Sequence, residues 1–240
     1  MSDHIVSAFE EALDSLRESL ARMGGLAEKQ LADAIDAIVR RDRALAEQTV
    51  AHDRQIDVLE VDIEGQALRL LALRQPMAID LRETISAIKI SSDLERIGDL
   101  AKNIAKRVQV VDETRPGRSI QGMGRMGRQV LTQLKEVLDA YAERNADRAL
   151  VVWRRDEEID EMYNSLFREL LTYMMEDPRT ISLCTHLLFV AKNLERIGDH
   201  TTNIAETVQF LVKGQTLAEA RPKGDITSVT RMPFPEGGVK

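Results

Sequence analysis

The residues with the clearest chemical potential are carboxylates set four apart. Asp53 and Asp57 form one pair, Glu95 and Asp99 a second, Asp156 and Asp160 a third, Glu195 and Asp199 a fourth. Residues four apart share one face of a helix, so each pair aims two carboxylates the same way. Gathered carboxylates repel: two unit charges 4 Å apart cost about 4 kcal/mol at an effective dielectric near 20. Protons, arginines or a metal ion must offset that repulsion. An all-oxygen set suits hard cations such as magnesium, calcium, manganese or oxidised iron. Zinc more often draws histidine or cysteine, and His52 and His200 flank the acidic stretches. Arg54, Arg96, Arg155 and Arg196 are next to carboxylates in sequence. Each projects about 100° away from its neighbour on a helix, so it compensates only in part.

Helical hairpins bring the pairs together. Asp57 lies 19 residues before Pro76 and Glu95 lies 19 after it; Asp53 and Asp99 are each 23 away. At ~1.5 Å per residue, both pairs stand ~28–35 Å from the turn, at one height. Around Pro178, Asp160 and Glu195 are 18 and 17 residues away, and Asp156 and Asp199 are 22 and 21 away. One acidic pair on a helix is ordinarily a solvated face. Four pairs, matched in height across two hairpins, point to a cation site in each.

The elements that position these residues are a repeat. Ser92 to Gln109 (SDLERIGDLAKNIAKRVQ) and Lys192 to Gln209 (KNLERIGDHTTNIAETVQ) agree at eleven of eighteen positions, at an offset of 100. Upstream, Asp53-Arg-Gln-Ile-Asp57 matches Asp156-Glu-Glu-Ile-Asp160 at an offset of 103. Two copies of a unit of ~100 residues therefore fill most of the chain. Each copy reads as three helices: Asp3 to about Arg41, Arg43 to Arg74 and Pro76 to Val111, then Ser119 to Glu143, Ala146 to Met175 and Pro178 to Lys213. Gly24-Gly25 is a point where the first helix is expected to loosen. Pro76 and Pro178 suit a first helical position, with Asp177 as N-cap. Within the last helices, Leu94, Ile97, Ala101, Ile104, Ala105 and Val108 form a core stripe, with Glu95 and Asp99 on its shoulder. Gly98, between them, permits close approach by a backbone or an ion. Asn103 and Asn203 continue that shoulder and are placed either to donate an amide oxygen or to brace a neighbouring helix.

Helices of this length on short turns bury their stripes only by bundling. The expected fold is all-α, with six long helices in two pseudo-symmetric three-helix bundles. The repeats cover 1–111 and 119–213, joined by the turn-rich linker 112–118, and the Pro- and Gly-bearing tail 214–240 is expected to be flexible.

Composition narrows the function. A net charge of −7 does not seek nucleic acid. The one cysteine, Cys184, allows no intrachain disulfide and reads as a small buried hydrophobe in a reducing compartment. No apolar run approaches the ~18 residues of a membrane span, and Met1 to Glu10 lacks the pattern of a secretory signal. A cytoplasmic location is expected. Gly122-Met-Gly-Arg-Met-Gly127 follows no strand, so it is not a nucleotide motif. No nucleophile stands beside a base.

With LERIGD followed by Asn-Ile-Ala in both copies, and Asp-x-x-Ile-Asp upstream of each, the chain resembles the PhoU family from about Asp3 to Lys213. The resemblance implies paired three-helix bundles with multinuclear metal clusters, iron being the first expectation and other hard divalent cations or zinc the alternatives. The family's motifs fall on Asp53, Asp57, Glu95 and Asp99, and on Asp156, Asp160, Glu195 and Asp199. It also implies a non-enzymatic, homodimeric accessory of the phosphate ABC transporter that negatively regulates the phosphate-starvation response. In that role it would link the transporter's ATPase subunit to a membrane sensor histidine kinase. Two other readings compete. A ferritin-like di-metal enzyme would carry Glu-x-x-His, yet His52, His186 and His200 follow Thr49, Leu183 and Ile197. A metal-free helical scaffold would simply present its acidic shoulders to solvent or a basic partner.

Overall fold

The computed structural model describes residues 2–74, 78–111 and 117–217. Among them the chain is all-α. The helices are α1 (Ser2–Arg40), α2 (Arg43–His52), α3 (Arg54–Arg74), α4 (Ala78–Arg107), α5 (Gly117–Ala142), α6 (Ala146–Arg154), α7 (Asp156–Glu176) and α8 (Ile181–Lys213). A 3₁₀ turn at Val108–Val110 closes α4, and another at Pro178–Thr180 opens α8.

Periodicity accounts for the helices. In α1, Leu13, Leu16, Leu20, Met23, Ala27, Leu31, Ala34 and Ile38 recur at steps of three and four, and all are buried. The first and second helices of each repeat are joined by the same turn. Arg41 takes a φ of 56° and Arg144 a φ of 50°. The next residue then caps the following helix: Asp42 accepts from the Leu45 N–H and Asn145 from the Arg148 N–H, both at 3.0 Å. Asp177 accepts from the Arg179 N–H at 3.1 Å, as its place before Pro178 anticipates. Gly214, at φ 72°, ends α8 in the left-handed region, where a Cβ is disfavoured.

The helices form two three-helix bundles, α1 with α2/α3 and α4, and α5 with α6/α7 and α8. They fuse into one body because α4 packs along α8 and α1 along α5, and a single apolar core runs through both.

Two sequence expectations need correction. The second helix of each repeat is not continuous. It breaks at Asp53 between α2 and α3, and at Arg155 between α6 and α7. Backbone bonds tighten to i→i+3 there: Ile56 N–H donates to Asp53 O at 2.9 Å and Glu158 N–H to Arg155 O at 3.2 Å. A glutamine from the first helix meets each break. Gln133 donates to the Arg155 carbonyl at 3.2 Å, and Gln30 donates to the Asp53 carboxylate at 2.8 Å. The second correction concerns Gly24-Gly25, where α1 runs through without loosening. Gly24 lies against Leu138 of α5, and the buried stripe on either side keeps the helix in place. Pro76, most of the linker (112–116) and the tail from 218 lie outside the described residues.

Candidate metal centre

The breaks fall at the carboxylates. In the first repeat Asp53 ends α2 with its side chain turned inward, buried against α4. It gets there because Gly98 leaves space: a Cβ on that residue would stand 2.9 Å from Ile56 Cδ1 and 3.7 Å from Asp53 Oδ1. Gln30 bonds Asp53 and, at 3.0 Å, the Gly98 carbonyl. Lys102, one turn beyond Asp99, donates to both Asp53 and Asp99. Asp57 is exposed, and Glu95 is partly exposed with Arg96 at 3.5 Å. Burial, then Asp99, pushes the Glu95 carboxyl above its ordinary value; Arg96 pulls it back, and Asp57 and Asp53 push it further. Burial pushes Glu60 up as well, with Glu95, Glu64 and Asp57 adding to it. The hairpin thus brings Asp53, Asp57, Glu95 and Asp99 into mutual electrostatic range, with Glu60 beside them.

The second repeat has the same plan with different chemistry. Asp156, Asp160 and Glu195 are only 3%, 5% and 5% exposed. Thr202, standing where the first repeat has Lys102, donates to Asp156 at 3.0 Å. Lys192 donates to Glu195 Oε1 at 2.8 Å and sits 4.9 Å from the centre of the Tyr163 ring. The other oxygen, Glu195 Oε2, is buried without a hydrogen-bond partner. Burial pushes the Glu195 carboxyl up; Lys192 opposes this, and Asp199 and Asp160 reinforce it. Gly198 again admits a neighbour, with Ile159 Cγ2 3.3 Å from a Cβ placed on it.

An orphaned, buried carboxylate oxygen within electrostatic reach of Asp199 and Asp160 is a group that a hard cation would satisfy, offsetting the repulsion as well. Among the described residues no three such side chains stand gathered as a closed ligand set, so a cation would have to draw them in. Four contributors escaped the sequence reading: Gln30, Gln133, Lys102 and Thr202. The same offsets that reveal the repeat pair Gln30 with Gln133 and Lys102 with Thr202. His52 is exposed, and His200 pairs with Asp93 of α4 at 2.9 Å. Asn203 also donates to Asp93, at 3.3 Å, so it braces α8 against α4. Arg155 pairs with Glu136 at 2.8 Å, away from Asp156.

Fold and site together define a class: an all-helical, two-repeat protein with an acidic hairpin in each repeat. The family model for the PhoU domain matches residues 20–108 and 123–208, and the chain belongs to that family. A Caulobacter vibrioides protein described as a phosphate-specific transport system accessory protein PhoU homolog is 56% identical over 229 residues, covering 95% of this chain and 100% of the relative. A Rhizobium meliloti protein of the same description is 52% identical over 226 residues, covering 94% and 95%. The crystal structure of PhoU from Pseudomonas aeruginosa superposes with a TM-score of 0.82 at 43% identity, over 86% of this chain and 100% of that one.

Proposed function

We propose that this chain is a cytoplasmic, metal-binding accessory of phosphate transport. In this reading it is a non-catalytic adapter that docks on the phosphate ABC transporter's ATPase subunit and on a sensor histidine kinase, and represses the phosphate-starvation response. The role in phosphate transport rests on the family and its described relatives. Metal binding rests on Glu195 Oε2, a carboxylate oxygen held dry and unpartnered among other acids. Multinuclear clusters bridged by carboxylates, iron first among hard cations, suit eight acidic ligands in two sets. None of the described helices is long and apolar enough to cross a membrane, so contact with the membrane would come through partners. Tagged full-length chain from cells grown at high and at low phosphate is expected to retain the ATPase subunit or the kinase in at least one condition. Capture of neither, at both levels, rejects the adapter reading.

Pairing of two copies is supported by the outward face of α3. Val58, Val61 and Leu68 are 59%, 69% and 62% exposed, and with Gly65 they keep steps of three, four and three. At the matching positions α7 has Glu161, a buried Asn164, Arg168 and Leu171 in place of Val58, Val61, Gly65 and Leu68. The two exposed valines of α3 thus have no apolar counterpart in the second repeat. Acids crowd the first half of α3 (Asp57, Glu60, Asp62, Glu64) and Arg69 lies in the second. An antiparallel second copy sets acids toward bases, whereas a parallel one sets acid on acid. Val61→Glu with Leu68→Glu is expected to halve the mass measured by light scattering, with the melting temperature nearly unchanged. A wild type already at one chain's mass, or a variant still at two, removes this pairing.

A further inference from the structure

We propose that the corner where the end of α4 meets the start of α8 is a docking surface for a protein segment that offers a carboxylate to Arg107 and an apolar side chain to Phe189. This inference rests on the adapter reading and names the surface that a partner uses.

Arg107 stands in the last turn of α4 and is partly buried. Among the described residues no carboxylate meets it, and burial alone pushes its guanidinium below the ordinary value. Its Cζ lies 4.4 Å from the centre of the Phe189 ring, a cation–π contact between the two helices. Nη1 donates to His186 Nδ1 at 3.0 Å, a bond that answers no charge. Nε is buried with no acceptor at all. A cation taken out of water ordinarily has an acid beside it, and a stranded N–H is costly. Arg17 and Arg144, by contrast, both close on Glu83.

The surroundings repeat this imbalance. The chain carries a net charge of −7, yet residues 100–111 and 178–194 contain neither Asp nor Glu. Lys102, Arg179 and Lys192, which lie in those stretches, pair with acids just outside them: Asp99, Asp177 and Glu195. Arg107 is left over, with Lys106 exposed next to it. Ile181, Thr185 and Phe189 follow at steps of four along α8, and Ile181 and Phe189 are 48% and 50% exposed. At the offset of the repeat, Thr207, Ser86 and Lys89 stand for Arg107, His186 and Phe189. Thr207 there donates to the Asn203 carbonyl of its own helix at 3.0 Å, and the phenylalanine of that corner, Phe210, is partly buried beneath Lys89. An unpaired arginine stacked on an exposed ring is therefore peculiar to one corner. Arginine and aromatic side chains are enriched at interface centres. A carboxylate is the group whose two oxygens match a guanidinium, and the open part of the ring takes an apolar neighbour.

Tagged full-length chain is drawn from cells grown at high and at low phosphate, and the retained ATPase subunit and kinase are quantified. Arg107→Glu and Phe189→Ser are each expected to lower retention of at least one of them tenfold, with the melting temperature nearly unchanged. Lys89→Glu, in the matching corner, is expected to retain what wild type retains. Wild-type retention of the affected partner should weaken as salt rises from about 0.1 to about 0.5 M, because the attraction is between charges. Arg107→Gln and Phe189→Ala take over if either of the first variants unfolds. Wild-type retention by either corner variant, equal loss in Lys89→Glu, or retention indifferent to salt overturns this surface and leaves the adapter reading standing. Binding to phosphatidylglycerol vesicles that Arg107→Glu abolishes, with partner retention unchanged, gives the corner to a lipid surface and overturns it as well. Wild type that retains neither partner overturns both.

Discussion

Replacing Arg17 and Arg144 together by alanine is expected to cost 3–5 kcal/mol of stability, whereas Glu83→Gln alone costs about 1–2 kcal/mol. The asymmetry follows from where the charges sit. Glu83 of α4 is 3% exposed and accepts from Arg17 of α1 at 2.5 and 2.9 Å and from Arg144 at 2.7 Å. The arginines are 40% and 45% exposed, and Arg17 also holds Asp14 at 2.6 Å. Without Glu83 the guanidinium groups return to water. Without the arginines a buried carboxylate is abandoned, which is far more costly. Burial alone pushes the Glu83 carboxyl up, but Arg17 and Arg144 outweigh it and hold the group below its usual 4.5. A depressed carboxyl contributes stability that is present above the unfolded value and is lost as pH falls through the folded value. Wild type therefore loses this contribution below about pH 4.5. The double variant, its Glu83 pushed up by burial, gains stability as pH falls toward that range. Urea midpoints at pH 7 and pH 4 check both points: the gap between wild type and the double variant must narrow on acidification. A gap under 1 kcal/mol at pH 7, or one that widens toward pH 4, refutes the account. The tie matters to the whole molecule because Arg144 belongs to the second repeat and Arg17 and Glu83 to the first.

The carboxylate hairpins were legible in the sequence because helical rise is constant. Counting residues outward from Pro178 places Asp160 level with Glu195; Asp199 and Asp160 both act on the Glu195 carboxyl, while the acids of the described residues form no gathered ligand set. The six-residue identity LERIGD set the repeat register and, with it, the two bundles. The breaks at Asp53 and Arg155 were not legible, since neither a proline nor a glycine marks them. Gln30 and Gln133, side chains from another helix, meet them, and single-helix periodicity carries no such information. Nor did motif matching distinguish the two sites. Asp57 and Asp160 are the same residue type at the same register, yet one is exposed and the other buried. The difference lies in their neighbours, Glu60 and Glu64 against Tyr163 and Phe167. Gly24-Gly25 misled for a related reason: helix propensity is a local quantity, and packing against Leu138 overrode it.

Trp153→Ala is expected to cost 3–5 kcal/mol and to lower the melting temperature by about 10 °C. The indole is 2% exposed in the shared core, and its Nε1–H donates to Glu206 of α8 at 2.9 Å. The mutation empties a large site and strands that carboxylate at once. Trp153→Phe keeps most of the packing and loses the hydrogen bond, so about 1–2 kcal/mol is expected. The consequence should reach the candidate site, because α6 has only nine residues and does not persist without tertiary contacts. Trp153 is its largest anchor, and Arg155 and Asp156 follow two and three residues on. In Trp153→Ala, amide exchange in α6 should therefore accelerate well before exchange in α8, whose buried stripe remains. The first repeat supplies the contrast, since Val50 stands at the matching position and is only partly buried. Val50→Ala is expected to cost about 1 kcal/mol and to leave α2 protected. Equal effects at the two positions, or a Trp153→Ala melting temperature within 3 °C of wild type, would mean that α6 is held by something other than its tryptophan. The tight, dry geometry around Asp156 would then need another support.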